Sequence, residues 1–105
     1  MKLLNLAKVI RSKNSGPFEL TYDVIFKSRS IYDRIKKENI INKAFVSKVI
    51  KVTDKKILKI CYFDPVGAVK ITIARTVPSG ALGDTDIYGA QQHMPLVNAE
   101  IKWRK

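Results

Sequence analysis

The side chains of this chain best suited to chemistry gather in one run near its end, Pro78-Ser79-Gly80-Ala81-Leu82-Gly83-Asp84-Thr85-Asp86-Ile87-Tyr88-Gly89-Ala90-Gln91-Gln92-His93-Met94-Pro95. Asp84 and Asp86 flank Thr85, so in extended chain both carboxylates project to the same side. They can act as a carboxylate pair or as hard-metal ligands, or as turn and cap residues bonding the loop's own N–H groups. His93, the only histidine, is a legitimate general acid–base. No Ser or Cys nucleophile has a recognisable context. Asp84, Asp86 and His93 are therefore the candidate catalytic residues, with Gln92 as a candidate ligand-binding group. Nothing in the run repeats with the period of a helix or a strand. Ordering so much backbone without burying apolar surface costs free energy, and long irregular segments in small domains are usually functional or disordered. The mixture of turn formers and specific polar groups predicts an ordered, functional loop over 76–95.

Two further polar groupings accompany it. In Arg11-Ser12-Lys13-Asn14-Ser15-Gly16, two cations meet a glycine turn whose N–H groups can cradle an anion; an ordinary polar hairpin turn fits the same residues equally well. The glycine spacing and Gly-Lys-Ser/Thr ending of a P-loop are missing. Arg11, Lys13 and Asn14 are candidate ligand-binding residues. So is Arg75 at the mouth of the loop, where a guanidinium can grip a carboxylate bidentately, either a ligand's or that of Asp84 or Asp86. Lys70 reads as a solvent-face lysine. Loops leaving the same end of a sheet can meet, so Arg11, Lys13 and Asn14 are expected to converge with Asp84, Asp86, Gln92 and His93.

These residues must be positioned by a small scaffold. The chain has 105 residues, 46% of them hydrophobic, enough for one domain with one core. No apolar stretch is long enough for a transmembrane helix, and the apolar start is too short for a secretory signal. Cys61 is the only cysteine, which excludes an internal disulfide and, with a single histidine, argues against zinc; no metal site is assigned, and the cofactor is left open. A cytoplasmic location follows. The net charge of +11 invites a nucleic-acid reading, but the cations are scattered from Lys2 to Lys105 and cluster only as pairs such as Lys36-Lys37.

Phe18, Leu20, Tyr22, Val24 and Phe26 alternate as a half-buried strand. The segment Leu3 to Ile10 fits either helix or strand, and Asn14-Ser15-Gly16-Pro17 makes a hairpin the economical choice. Ser30, with Asp33 three residues on, predicts a capped helix ending near Asn39. Asn42 caps a second helix with Phe45, Val46, Val49 and Ile50 on one face. Strands follow at Ile57 to Phe63 and Ala68 to Ala74, joined by the turn Asp64-Pro65-Val66-Gly67. Val97, Ala99, Ile101 and Trp103 alternate as a last strand. Strands grouped around a helical segment predict an α+β domain spanning 1–105, with a mostly antiparallel sheet and two short helices on one face.

The stretches Leu6 to Thr21, Tyr62-Phe63-Asp64-Pro65 and Pro78-Ser79-Gly80…Gly83-Asp84-Thr85-Asp86…Tyr88 to His93 resemble a small family of uncharacterised single-domain proteins. That family is related to the ferredoxin-fold domain attached to, or encoded beside, acyclic terpene utilisation protein A-like proteins. The middle, roughly residues 27 to 56, departs most. The resemblance implies a ferredoxin-like fold, a larger acyclic terpene utilisation protein A-like partner and a metabolic setting in carbonyl or acyl-CoA catabolism. It supplies no reaction. The expected function is a cytosolic accessory subunit or ligand-binding domain of a metabolic enzyme. The alternative is a basic nucleic-acid-binding module using an open sheet face, which needs exposed aromatics between cations. The loop over 76–95 holds two acids and neither Lys nor Arg, which disfavours phosphate and the alternative with it. An exposed sheet edge makes a homo-oligomer the expected state.

Overall fold

Alternation on one face of each strand dictates the architecture. In the computed structural model, residues 1–16, 18–74, 94–101 and 103 are described. A short helix α1 (Leu3–Leu6) leads into β1 (Ala7–Gly16) and β2 (Glu19–Phe26). Two helices follow, α2 (Arg29–Lys37) and α3 (Lys43–Ile50), and a 3-10 turn (Asp54–Lys56) leads into β3 (Ile57–Phe63) and β4 (Ala68–Ala74). A short helix α4 (Met94–Val97) lies near the C-terminus. The strands form one antiparallel sheet in the order β1-β2-β4-β3. This is an α+β fold, two hairpins separated by helices, consistent with a ferredoxin-like arrangement.

The two central strands are the most buried. Leu20, Tyr22 and Val24 of β2 lie opposite Ile73, Ile71 and Val69 of β4, and all six are buried. Against this face pack Tyr32 and Ile35 of α2, Val46 of α3, Leu3 and Leu6 of α1, and Leu96 of α4 in one cluster. Each side chain of this size stabilises the fold by roughly 1.5–3 kcal/mol through removal of apolar area from water. Among the described residues no helix packs on the other face of the sheet.

The helix starts come from side-chain oxygens that take up free N–H groups. Asn42 accepts from the Phe45 N–H at 2.9 Å, as its position predicts. For α2 the cap is Ser28, not Ser30: Ser28 has extended backbone and its Oγ accepts from the Ile31 N–H at 3.2 Å. Asp33 pairs with Arg29 one turn back, at 3.5 Å, instead of closing a capping box.

Two further expectations change. Arg11 to Gly16 form the end of β1 rather than a turn. Among the described residues the expected last strand is reduced to one isolated bridge, Lys2 to Glu100. Its alternation is real, since Ala99 and Ile101 are buried, but its backbone partner is only the short stretch before α1. Leu3 N–H donates to the Ala99 carbonyl and Ile101 N–H to the Met1 carbonyl, each at 2.8 Å. The chain turns helical at Leu3 and the ladder stops there. Among the described residues no helix is long and apolar enough to cross a membrane.

Candidate functional site

Alternation leaves a second set of residues on the uncovered face, and the strand register sorts them into cross-strand rows. Val9, Ile25, Ala68 and Phe63 form an apolar row; Arg11, Asp23, Lys70 and Cys61 form a charged one; Lys13, Thr21, Thr72 and Lys59 form one of hydroxyls and cations. A cavity of about 410 Å³ opens over these rows, walled by Arg11, Asp23, Lys59, Cys61 and Lys70 on the polar side and by Ile25, Phe63, Val66 and Ala68 on the apolar side. The volume is within the range of small-molecule sites.

Asp23 is the buried polar centre of this face, with a side chain only 13% exposed. Arg11 donates from Nε to Asp23 Oδ2 at 3.2 Å across the β1–β2 pair. Lys70 is the opposite cross-strand neighbour of Asp23 and is exposed. Neither Lys59 nor Lys70 forms an ion pair with a described residue, so the groove has positive charge to offer a ligand. Thr21 is engaged, donating to Ser15 Oγ at 2.8 Å. Phe63 and Val66 are 52% and 53% exposed, far more than large apolar groups in a settled core. Among the described residues no three His, Cys, Asp or Glu side chains come together as a metal site would need.

A second polar cluster sits where the β3–β4 turn meets α2. The buried Tyr32 donates its hydroxyl to Asp64 Oδ1 at 2.5 Å, and Lys36 donates to both carboxylate oxygens at 2.7 and 2.9 Å. Arg29 donates to the Asp64 backbone carbonyl and lies over the Tyr32 ring, 5.1 Å from its centre. The hydrogen bond from Lys36, then that from Tyr32, holds the Asp64 carboxyl below its ordinary range. Burial first, and the bond to Asp64 second, push the Tyr32 phenol up. Burial likewise pushes up Tyr62, whose hydroxyl donates to the Ile41 carbonyl at 2.9 Å. Every polar atom of Asp64 named here already has a partner. This cluster is a clamp between helix and turn.

Of the predicted site residues, Arg11 lies in the groove wall and Lys13 on the same face, one row away. Asn14 is on the other side of β1, opposite the buried Leu20. Asp84, Asp86, His93, Gln92 and Arg75 fall outside the described residues, and so does their expected convergence with Arg11. The groove adds Asp23, Lys59, Cys61, Phe63 and Lys70. The signal for them was available: an acid in the middle of a strand whose next residues are Val24, Ile25 and Phe26 is costly to bury unless paired, which points to a cation on the same face.

An antiparallel sheet covered on one face and grooved on the other defines an α+β domain with a built ligand-sized cleft. The chain belongs to the DUF4387 family, described as a domain of unknown function, whose model matches residues 3–100. No curated protein and no solved structure gives a significant match.

Proposed function

We propose that this protein is a ligand-binding or accessory domain of a metabolic enzyme, and that its open sheet face takes a small organic anion. The observation that carries this reading is the groove of about 410 Å³ in which Lys59 and Lys70 stand without ion-pair partners among the described residues, beside an apolar wall. A concave site with few convergent charges on an apolar lining is the usual form of a small-molecule site. The resemblance to domains that accompany acyclic terpene utilisation protein A-like proteins supports a cytoplasmic setting in carbonyl or acyl-CoA catabolism. It also supports a larger protein of that kind as partner, while the exposed edges of the sheet favour homo-oligomerisation.

One observation favours the second reading, a nucleic-acid module: Phe63 is exposed on a bare sheet face among cations, where a base can stack. Amide chemical-shift mapping on the full chain separates the two. Small anions perturbing Arg11, Asp23, Lys59 and Lys70 at millimolar or lower concentration, with only salt-sensitive, weak oligonucleotide binding, support the first reading. Sub-micromolar binding of a single-stranded oligonucleotide at about 150 mM salt, lost in Phe63→Ala, would replace it with the second.

A further inference from the structure

The three rows of the open face are graded along the strands, and the gradient has a direction. At the β3–β4 turn the face is hydrocarbon, with Ile25, Ala68 and Phe63 in register and Val66 beside them in the same cavity. One row on it is charged, and a further row on it carries Lys59, Thr72 and Lys13. Resting on the small-anion reading above, we propose that the groove binds a carboxylate with a compact hydrocarbon body, its charged end over Lys59 and Lys70 and its hydrocarbon over Phe63 and Val66.

Three features carry this. The lysines have no ion-pair partner among the described residues, whereas Arg11 is committed to Asp23, so the lysines are the groups with charge to donate. The apolar wall is exposed in the free protein, so covering it is favourable in proportion to the area removed from water. Asp23 is the direct cross-strand neighbour of Lys70, and its negative charge opposes a dianion more than a monoanion. That last point selects a carboxylate over a phosphate.

The test is an amide chemical-shift titration of the full chain with acetate, butanoate, hexanoate and inorganic phosphate. Affinity is expected to rise about two- to fourfold per added methylene. The carboxylate end should perturb Lys59, Lys70 and Thr72, and chain extension should add Phe63, Val66 and Ala68. Lys70→Gln, at an exposed position, should weaken every carboxylate by about tenfold and leave the chain-length dependence intact, the ordinary size of a lost charged hydrogen bond. Phe63→Ala should leave acetate unchanged and flatten the series. A flat series in the natural protein, or phosphate binding tighter than hexanoate at the same residues, would overturn the carboxylate proposal while leaving anion binding in place. If no anion perturbs the groove at all, the small-anion reading itself fails.

Discussion

Asp23 and Asp64 are both carboxylates placed among cations, but the molecule uses them differently. Asp64 lies in an exposed turn, yet Tyr32 and Lys36 bond its carboxylate and Arg29 bonds its carbonyl. Its carboxylate is satisfied by two residues of one helix and its carbonyl by a third, and the turn is tied to α2. Asp23 lies in the middle of the sheet, nearly buried; among the described residues Arg11 alone is bonded to its side chain, and Lys70 alongside forms no ion pair. A saturated carboxylate holds a structure together; one with a surplus cation beside it leaves a site for something else. The two are also linked through one turn. Asp64 fixes the turn from the helix side while Val66, two residues on, walls the groove.

The clamp should break first and most severely at Tyr32. Its side chain is fully buried, lies tilted against Phe26 and Tyr62 at ring separations of 6.3 Å, and carries the hydroxyl bonded to Asp64. Tyr32→Ala is expected to cost about 3–5 kcal/mol, a large share of the roughly 5–15 kcal/mol that holds a domain folded. Urea denaturation would read it directly. A loss below about 1 kcal/mol would mean that the clamp is ornamental.

Gly67 closes the same turn at φ +72, where an added Cβ would meet Tyr32 at 3.7 Å, an ordinary contact. Space is therefore not the obstacle; the left-handed backbone is. Gly67→Ala should cost about 1–2 kcal/mol through that backbone alone. A thermal melt showing no change would indicate that the turn relaxes freely.

How the chain displayed these features in advance depends on sequence distance. Local signals were legible: the alternation of β2 and β4, the Asn42 cap, and the turn at Asp64-Pro65-Val66-Gly67 all follow from neighbouring residues. The sequence marks Asp64 only as a turn residue, whereas its carboxylate reaches Tyr32 and Lys36, which are 32 and 28 positions away. The groove was missed for the same reason. Its rows exist only once β1, β2, β4 and β3 are in register, and attention to the apolar side of each strand hides the polar side. The C-terminal alternation was real but could not reveal how little strand stood ready to pair with it.

Acidification should loosen the clamp by a smaller step. The folded Asp64 carboxyl titrates below its unfolded value of 3.8, so the unfolded chain takes up the proton first. Its contribution to stability is complete above that value and is lost as the pH falls through the lower folded one. Stability measured from about pH 5 to about pH 2 should therefore decline more steeply in the natural protein than in Asp64→Asn. Equal slopes would show that the Lys36 and Tyr32 contacts do not favour the ionised form.

The smallest stability effect, and the sharpest contrast, is expected at Asp23. Arg11 is 61% exposed, and ion pairs with one partner in water contribute about 0–1 kcal/mol, so Asp23→Asn should melt within a few degrees of the natural protein. The amide keeps the shape and can still accept from Arg11. Removing the negative charge, however, ends the repulsion that Asp23 exerts on any anion near Lys70. Acetate and hexanoate should bind several-fold more tightly, and phosphate should gain most, because a dianion feels that repulsion most. The corresponding Asp64→Asn change removes a charge already bonded to Lys36 and Tyr32 on the helix side, so it should leave acetate affinity where it was and weaken only the longer chains that lie against Val66. Should Asp23→Asn instead unfold the protein or weaken anion binding, the buried carboxylate would be a structural clamp like Asp64, and the distinction between the two sites would collapse.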